Sequence, residues 1–426
     1  MTATWASRFL TRPELYGVAL RLLLMPIGAC WDLFGYYWIS HQWVYHGTLP
    51  ADQCNGLFLI WPPFYLHAAW LWLIRPLLGP GDPWGEGLAP SPTLTQPWVT
   101  PEAVGAFYLQ PHLPFVLFLL KAPYVLVECW LIHHLLRHPV GSSAVRRRLA
   151  WVLWLNPISL YTVALLGAWD VVPVALLVLS TLLLPRRPVG AGLWLALATA
   201  MKLFPAIVSP FLLLVGAKGR SSRMQFGMAA LVSFGLWVGI GQWVGVPMLK
   251  LLASVPQYGM ALAAELSLRY SDDRLYLFLV GSVFLWCHAA RFGTVSFFSC
   301  VRYGAAVFLL FYSVSFFHPQ YMIWGVPFVA ICIAQQRRRL WLLVIQAVCL
   351  AVYTLQWGPI LTTYLFAPLD PNGFMFQRTP MDWLAGFVNP QQLIGVAHSV
   401  LAGTSLWMVF DLLRADHRPA EGRGQA

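Results

Sequence analysis

Long apolar stretches separated by short polar segments run along almost the whole of this chain. A straight helix needs about 20 predominantly apolar residues to cross the roughly 30 Å of hydrocarbon in a bilayer. About twelve stretches approach that length. They are residues 13–31, 113–136, 149–168, 170–184, 190–204, 205–217, 224–243, 275–291, 294–316, 320–334, 339–357 and 393–413. The pattern therefore predicts an all-α, multi-pass integral membrane protein.

The distribution of charge sets the expected orientation, because Lys and Arg collect in short loops on the cytoplasmic side. Most of the 27 Lys and Arg residues fall on one side of the predicted alternation, and most of the 16 acids fall on the other. We therefore expect both termini in the cytoplasm. Residues 61–78 are also apolar, but a crossing there would put Arg146 to Arg148 outside. We therefore predict that 61–78 form an amphipathic helix on the membrane surface.

This topology defines the expected domain organisation. Residues 1–426 form one membrane-embedded domain, residues 32–112 form a long first extracytoplasmic loop, and residues 414–426 form a disordered cytoplasmic tail. A loop of that length is typical of a functional segment, since most connections are far shorter.

The composition excludes several classes of protein. Hydrophobic residues make up 59% of the chain and charged residues only 10%, too few to cover a water-facing surface. The net charge of +11 follows from the cytoplasmic Lys and Arg, so it does not indicate a nucleic-acid partner. The seven cysteines are scattered and predict neither a disulfide framework nor a zinc site. The abundance of Arg over Lys favours a bacterial plasma membrane, with the endoplasmic reticulum as the eukaryotic counterpart.

Ionisable side chains within or beside apolar spans are energetically costly, so they indicate candidate sites. Asp32 follows the first span and is either a helix-end acid or a general base. Asp170 either caps the following helix or faces the same vestibule as Asp32. Lys202 lies at a break between two short spans, where it either reaches the interface or binds a phosphate. His318 and Gln320 form another polar break, where the histidine either donates to phosphate or pairs with a backbone carbonyl.

Four further charged residues lie within predicted spans. Arg21 and Arg302 are placed to neutralise a carboxylate or a lipid phosphate. Lys121 and Glu128 are seven residues apart on one helix face, which favours structural pairing with neighbouring helices. The chain has no glycine-rich phosphate loop, no serine nucleophile elbow and no Cys/His catalytic arrangement, so no nucleotide cofactor and no metal are expected.

A series of motifs, in order along nearly the whole chain, resembles the GT-C glycosyltransferases that use polyprenyl-phosphate sugars, in particular the bacterial alpha-mannosyltransferases and the GPI-type mannosyltransferases. The motifs are Asp32 with Tyr36 and Tyr37, Gly47 to Pro50, Trp61-Pro62-Pro63, Lys121 with Pro123, Asn156-Pro157, Gly167 to Asp170, Met201 to Pro205, and His318 to Tyr321. The chain departs from the family pattern at Ala168, where the family carries Gln, and at Glu128, where relatives often carry Asp. These departures leave the sugar and the acceptor open.

The resemblance implies a GT-C-like fold and an inverting transfer of a sugar, mannose by preference. The donor is a polyprenyl-phosphate sugar, the acceptor is a hydroxyl of a lipid or glycan, and the reaction takes place at the extracytoplasmic face without a cofactor. It implies that Asp32 is the general base. It implies that the donor phosphate is bound by Lys202, His318, Arg21 and Arg302. It implies substrate contacts from Tyr36, Tyr37, Asp170, Trp169, Gln320, Tyr321 and Trp61. The remaining alternatives are a polypeptide acceptor, a glycosidase with two flanking carboxylates, and a transporter or lipid flippase.

Overall fold

The computed structural model describes residues 12–48, 61–78, 108–109, 112–138, 140–243, 248–253, 259, 261–267, 273–336, 339–374 and 377–414. Its helices are α1 (Pro13–Leu24), α2 (Trp31–His46), α3 (Trp61–Leu78), α4 (Leu113–Arg137), α5 (Ser143–Trp154), α6 (Val171–Leu183), α7 (Pro188–Met201), α8 (Pro205–Val215), α9 (Gly219–Trp243), α10 (Met248–Ala253), α11 (Leu277–Phe292), α12 (Phe297–Val314), α13 (Val326–Gln335), α14 (Leu340–Thr354), α15 (Pro371–Phe374), α16 (Pro380–Leu384) and α17 (Pro390–Arg414). Shorter helical segments are Pro157–Ser159, the π-helix Leu160–Leu165, and the 3-10 turns Pro319–Trp324, Leu355–Leu361 and Tyr364–Phe366.

Five described helices are long and apolar enough to cross a membrane: Leu113–Arg137, Gly219–Trp243, Phe297–Val314, Leu340–Leu361 and Pro390–Arg414. Five more apolar helices, of 10–17 residues, are Val171–Leu183, Pro188–Met201, Pro205–Val215, Leu277–Phe292 and Val326–Gln335. The helical, membrane-compatible architecture agrees with the sequence. Twelve crossings and cytoplasmic termini stay predictions, and residues 1–11 and 415–426 lie outside the described residues.

A short antiparallel hairpin, β1 (Glu265–Ser267) and β2 (Arg274–Tyr276), departs from the all-α prediction. Ser267 pairs with Arg274, and Glu265 pairs with Tyr276. The Arg274 guanidinium also donates to the Glu265 carboxylate at 2.8 Å. The two strands and this ion pair stabilise a polar loop, whose structure a pattern of apolar spans does not predict.

The chain divides into two compact units. The first comprises residues 1–175, 238–254 and 351–394, and the second comprises residues 176–237, 255–350 and 395–426. Asp32 and Asp170 belong to the first unit, whereas Lys202 and His318 belong to the second.

Two predicted spans of the first unit are shorter than expected because of proline. The stretch 13–31 is helical only to Leu24, since Pro26 has no N–H with which to continue the helical hydrogen bonds. The stretch 149–168 breaks after α5, where the Asn156 side chain accepts hydrogen bonds from two backbone amides and Pro157 opens a new turn. Conversely, the predicted loop after Asp32 contains the 16-residue helix α2, most of whose first ten residues are buried.

The ammonium of Lys121 satisfies the backbone where these helices break. Lys121 is fully buried on α4, and its Nζ donates to the carbonyl oxygens of Met25 at 2.8 Å, Ala164 at 3.1 Å and Leu165 at 2.8 Å. It also donates to the carbonyl of Gly28. Carbonyls at a helix C-terminus have no partner within the helix, and a cation is favourable there. Lys121 therefore caps α1 and the π-helix together.

A buried ion pair lies two turns further along α4. The Arg21 guanidinium donates to both carboxylate oxygens of Glu128 at 2.7 Å. Its other nitrogen donates to the carbonyls of Gly17 at 2.9 Å and Trp154 at 2.7 Å. Ser159 accepts from Arg21 at 3.1 Å and donates to Glu128. These contacts confirm the structural pairing with neighbouring helices that was expected of Lys121 and Glu128. Removing one member of a buried ion pair such as Arg21–Glu128 lowers the free energy of unfolding by about 3–5 kcal/mol.

The predicted helix over 61–78 is confirmed as α3, but its outer face is apolar rather than polar. Phe64, Ala68, Leu71 and Ile74 are buried along one side. The exposed large side chains on α3 are Tyr65, Leu66, Trp72, Leu73 and Leu77. Both faces of α3 therefore suit apolar surroundings.

Pro123 explains how α3 is attached to α4. Proline has no N–H, so the carbonyl four residues earlier, that of Leu119, loses its helical donor. The indole Nε1 of Trp70 on α3 donates to this carbonyl at 2.9 Å. A break in the hydrogen bonding of α4 is thereby repaired by a side chain of a second helix.

The second unit has α12 at its centre, with most of its residues buried. The Tyr312 hydroxyl donates to the Tyr321 carbonyl at 2.9 Å and accepts from the Gly325 amide at 3.0 Å, which fixes the 3-10 turn that follows α12. Just beyond the C-terminal end of α13, the Arg339 guanidinium donates a hydrogen bond to the Asp411 carboxylate of α17 at 2.8 Å.

We expect the cost of Trp70→Phe to depend on residue 123. In the wild type the substitution leaves the Leu119 carbonyl without its donor and destabilises the protein by about 1–3 kcal/mol. In a Pro123→Ala background the new Ala amide donates to that carbonyl, so the same substitution costs about 1 kcal/mol less. Thermal unfolding of the four proteins in nanodiscs measures the difference. An equal cost in both backgrounds would contradict the role assigned to Trp70.

Candidate functional site

Asp32 lies in the first turn of α2, directly after the non-helical segment 25–30. The amide of Cys30, just before the helix, donates to the Leu166 carbonyl at 3.0 Å. A carboxylate in the first turn is stabilised by the amides and the dipole at a helix N-terminus. Asp32 is half-buried, so its carboxylate stands at the edge of the packed region.

Aromatic rings join the segments that carry the two candidate carboxylates. Tyr36, one turn after Asp32 on the same face of α2, makes an edge-to-face contact with Trp169 at 5.4 Å between ring centroids. The ring of His67 on α3 stacks on Tyr36 at 4.5 Å with an interplanar angle of 13°. We call Asp32, Tyr36, His67, Trp169 and Asp170 the Asp32 cluster.

Asp170 is fully buried and immediately precedes α6. Its backbone carbonyl accepts from the Val174 amide at 3.3 Å, as expected of a residue at a helix start. The approach of this segment to α2 requires Gly167, whose φ of +75° is left-handed. A Cβ at Gly167 would lie 3.0 Å from the Leu33 side chain and 3.1 Å from that of Lys121. The sequence expectation that Asp32 and Asp170 belong to one region thus has a structural basis.

His67 belongs to this cluster and was missed by the sequence analysis. Its Nδ1 lies 2.6 Å from the Pro63 carbonyl, which can only accept, so Nδ1 carries a proton and Nε2 is the unprotonated nitrogen when the ring is neutral. Nε2 is buried and has no hydrogen-bond partner among the described residues. Burial lowers the pKa of His67 to about 4, against a smaller opposing effect of the Pro63 hydrogen bond. A lone histidine on the otherwise apolar stretch 64–74 was the available signal.

In the second unit, the break between α7 and α8 carries Lys202. Lys202 follows the last residue of α7, where a cation is favourable, and Pro205 starts α8. Its Nζ lies 4.8 Å from the ring centroid of Tyr321 and 5.8 Å from that of Trp324. Tyr321 and Trp324 stack at 4.2 Å, and Phe204 stacks on the other side of Trp324 at 4.3 Å. This aromatic stack holds the ammonium by cation–π attraction.

The motif His318 to Tyr321 enters the same arrangement. His318 caps the 3-10 turn, its Nδ1 accepting from the Gln320 amide at 3.4 Å. With Nδ1 as acceptor, the neutral ring carries its proton on Nε2. The His318 and Tyr321 rings are 6.0 Å apart, and Gln320 is buried. We call Lys202, His318, Tyr321 and Trp324 the Lys202 cluster.

The remaining expected site residues lie elsewhere. Arg21 is held in the buried pair with Glu128, so its guanidinium stabilises the fold. Arg302 donates to Ser299 at 3.3 Å near the start of α12, about 18 Å along the helix axis from the end that leads to His318. Tyr37 is buried with its ring 6.3 Å from His41. Trp61 opens α3, and its side chain lies outside the described part of the structure.

Comparison of the chain with protein-family models, with curated proteins and with solved structures gave no match.

We expect His67 to make stability fall with acidification. Its pKa is about 4 in the folded protein and about 6.5 when unfolded, so the unfolded chain binds an extra proton between these values. Stability contributed by neutral His67 is fully present above pH 6.5 and is lost as the pH falls towards 4. Between pH 7 and pH 5 the loss is about 2 kcal/mol.

The measurement is thermal unfolding in nanodiscs across this range. His67→Phe retains the ring but removes the titrating group, so it should show a smaller decrease in Tm than the wild type. His133→Phe, at an exposed histidine of α4, is the matched control and should retain the wild-type decrease. A His67→Phe profile identical to the wild type would refute the assignment.

Proposed function

We propose that this protein is a membrane glycosyltransferase that moves a sugar from a polyprenyl-phosphate donor to a hydroxyl of a lipid or glycan acceptor, with Asp32 as the general base. The observation that carries the proposal is the Asp32 cluster, in which a half-buried carboxylate stands one helical turn from a group of aromatic rings. Mannose as the sugar and the extracytoplasmic face as the site rest on the sequence resemblance.

A half-buried carboxylate is suited to accept a proton from a hydroxyl. General-base catalysis requires a group within hydrogen-bond reach of the proton it removes, and a rigid support for that group. Asp32 is fixed because α2 is buried over most of its first ten residues and because the Cys30 amide is bonded to Leu166. The rings of Tyr36 and Trp169 offer an amphipathic surface on which a sugar ring can lie.

In the proposed step, the acceptor hydroxyl gives its proton to the Asp32 carboxylate while its oxygen bonds to the anomeric carbon. The bond between that carbon and the phosphate oxygen breaks, and the electron pair leaves with the polyprenyl phosphate. Direct displacement inverts the anomeric centre. The step needs no nucleotide and no oxidant, because the lipid phosphate is itself the leaving group.

For the Lys202 cluster we propose binding of the donor phosphate. An ammonium held by aromatic rings and a histidine with a protonated Nε2 supply charge-assisted and neutral donors of the kind that bind phosphate oxygens. Arg21 is left out of this set because its guanidinium is paired with Glu128. Arg302 is left out because it lies near the start of α12, far from the end that leads to His318.

We expect Asp32→Asn to reduce sugar transfer by about 100-fold or more, since an amide cannot accept the proton. Purified protein in nanodiscs is incubated with polyprenyl-phosphate-mannose, -glucose or -arabinose and a panel of lipid, glycan and peptide acceptors, and products are identified by mass spectrometry. Asp370→Asn, at an exposed acid whose side chain accepts from the nearby Gly373 amide, is the matched control and should retain wild-type transfer. Folded Asp32→Asn with wild-type transfer would exclude the base role, and peptide products would favour a polypeptide acceptor.

We expect Lys202→Gln to weaken binding of polyprenyl phosphate by about tenfold or more, because a charge-assisted hydrogen bond is lost. Binding of polyprenyl phosphate without a sugar is measured by thermophoresis at increasing salt. Lys202→Arg retains part of the affinity, whereas Lys218→Gln, at an exposed lysine of the same unit, leaves it unchanged. Equal affinities of Lys202→Gln and the wild type would disprove a phosphate role for this cluster.

A further inference from the structure

The first unit contains a cavity of about 320 Å³ between α3 and α4, within the usual range for small-molecule sites of about 300–1,000 Å³. On α3 it is lined by Leu66, Trp70 and Leu73, and on α4 by Pro123 and Val127. The cavity is also lined by His67, Ala69, Tyr124 and Val172, and the surface that these side chains present to it is almost wholly apolar. The indole nitrogen of Trp70 is already bonded to the Leu119 carbonyl. The wall of this cavity therefore suits hydrocarbon.

A hydrogen bond between α3 and α4 is formed beside the cavity. Pro123 removes a helical hydrogen bond from α4, and Trp70, which lines the cavity, donates to the carbonyl that is left. Leu73, which lines the cavity, is 61% exposed, and Leu126, which precedes the lining residue Val127 on α4, is 63% exposed. An apolar cavity that opens among exposed apolar residues of a candidate membrane span is accessible from the lipid phase.

One side of the cavity adjoins the Asp32 cluster. His67 lines the cavity and also stacks on Tyr36, and Val172, which lines the cavity too, follows Asp170 by two residues. A ligand with its hydrocarbon part in the cavity would have its polar end near the Asp32 cluster. In a sugar transfer, the group that loses its proton to the base is the acceptor hydroxyl, so the nearby chain is that of the acceptor.

We propose that this cavity binds the hydrocarbon chain of the acceptor, which makes the acceptor an amphiphile with a hydroxyl-bearing head group. The assignment of the chain to the acceptor rests on the proposed function. The presence of a hydrocarbon chain in the cavity rests on the apolar wall alone, and the two are tested separately.

Occupancy is tested by photolabelling of the full-length protein in nanodiscs. The probe is decyl mannoside with a diazirine at the end of its alkyl chain, and labelled residues are located by peptide mass spectrometry. We expect labels on residues 66–73 and 123–127, reduced about tenfold by Leu73→Trp, which fills the opening. Leu77→Trp is the matched control, since Leu77 is also 61% exposed and one turn away on α3, but it does not line the cavity.

Equal labelling of the Leu73→Trp and Leu77→Trp proteins would overturn the proposal, because the probe would then mark only the lipid-facing surface. Loss of label on addition of unlabelled polyprenyl phosphate, but not of decyl mannoside, would assign the cavity to the donor chain and also overturn it. Labelling needs no catalysis. A protein that is labelled as expected but transfers no sugar would therefore refute the proposed function and the assignment to an acceptor, and would leave only the binding of a hydrocarbon chain in the cavity.

Kinetics test the assignment to the acceptor. With the sugar donor that supports transfer, the KM for decyl mannoside should be about tenfold or more below that for ethyl mannoside, with similar kcat, because the added methylenes are buried in the cavity. Leu73→Trp should abolish this preference, so that its KM no longer depends on chain length, whereas Leu77→Trp should retain the wild-type dependence. A KM that is independent of chain length in the wild type would contradict the proposal.

Discussion

Two buried charges on one helix organise the first unit. Lys121 and Glu128 lie on the same face of α4, and neither can remain ionised in an apolar environment without close partners. Lys121 obtains them from backbone carbonyls where α1 and the π-helix end, and Glu128 obtains them from Arg21 and Ser159. The need to provide hydrogen-bond partners for these charges therefore fixes where α1, α4 and the π-helix meet.

The same constraint explains why helix breaks and candidate chemistry coincide. A broken helix in an apolar setting exposes backbone groups that need donors or acceptors. In the first unit Lys121, Asn156 and Trp70 supply them. The breaks then hold non-helical backbone at well-defined positions, from which Asp32 and Asp170 start new helices. In the second unit the Lys202 break is supported in another way, by stacked aromatic rings.

The cavity adds a chemical consequence to this architecture. Under the proposed function, an apolar cavity beside Asp32 would select acceptors by the length of their hydrocarbon chain, because each buried methylene adds to the affinity. The half-buried Asp32 and the apolar opening between α3 and α4 are consistent with a substrate that approaches along the membrane.

The amino-acid sequence by itself determined the helical, apolar character of the chain, most helix positions and the structural role of Lys121 and Glu128, because hydropathy and helical spacing are local properties. It also indicated the breaks at Lys202 and His318, but not the one at Asn156, which lies within the predicted span 149–168. Only the tertiary structure placed Trp70 opposite Pro123, brought His67 onto Tyr36, and removed Arg21 and Arg302 from the phosphate set. These features depend on contacts between residues far apart in the chain, and a pattern along one segment carries no information about which distant side chain will complete its hydrogen bonds.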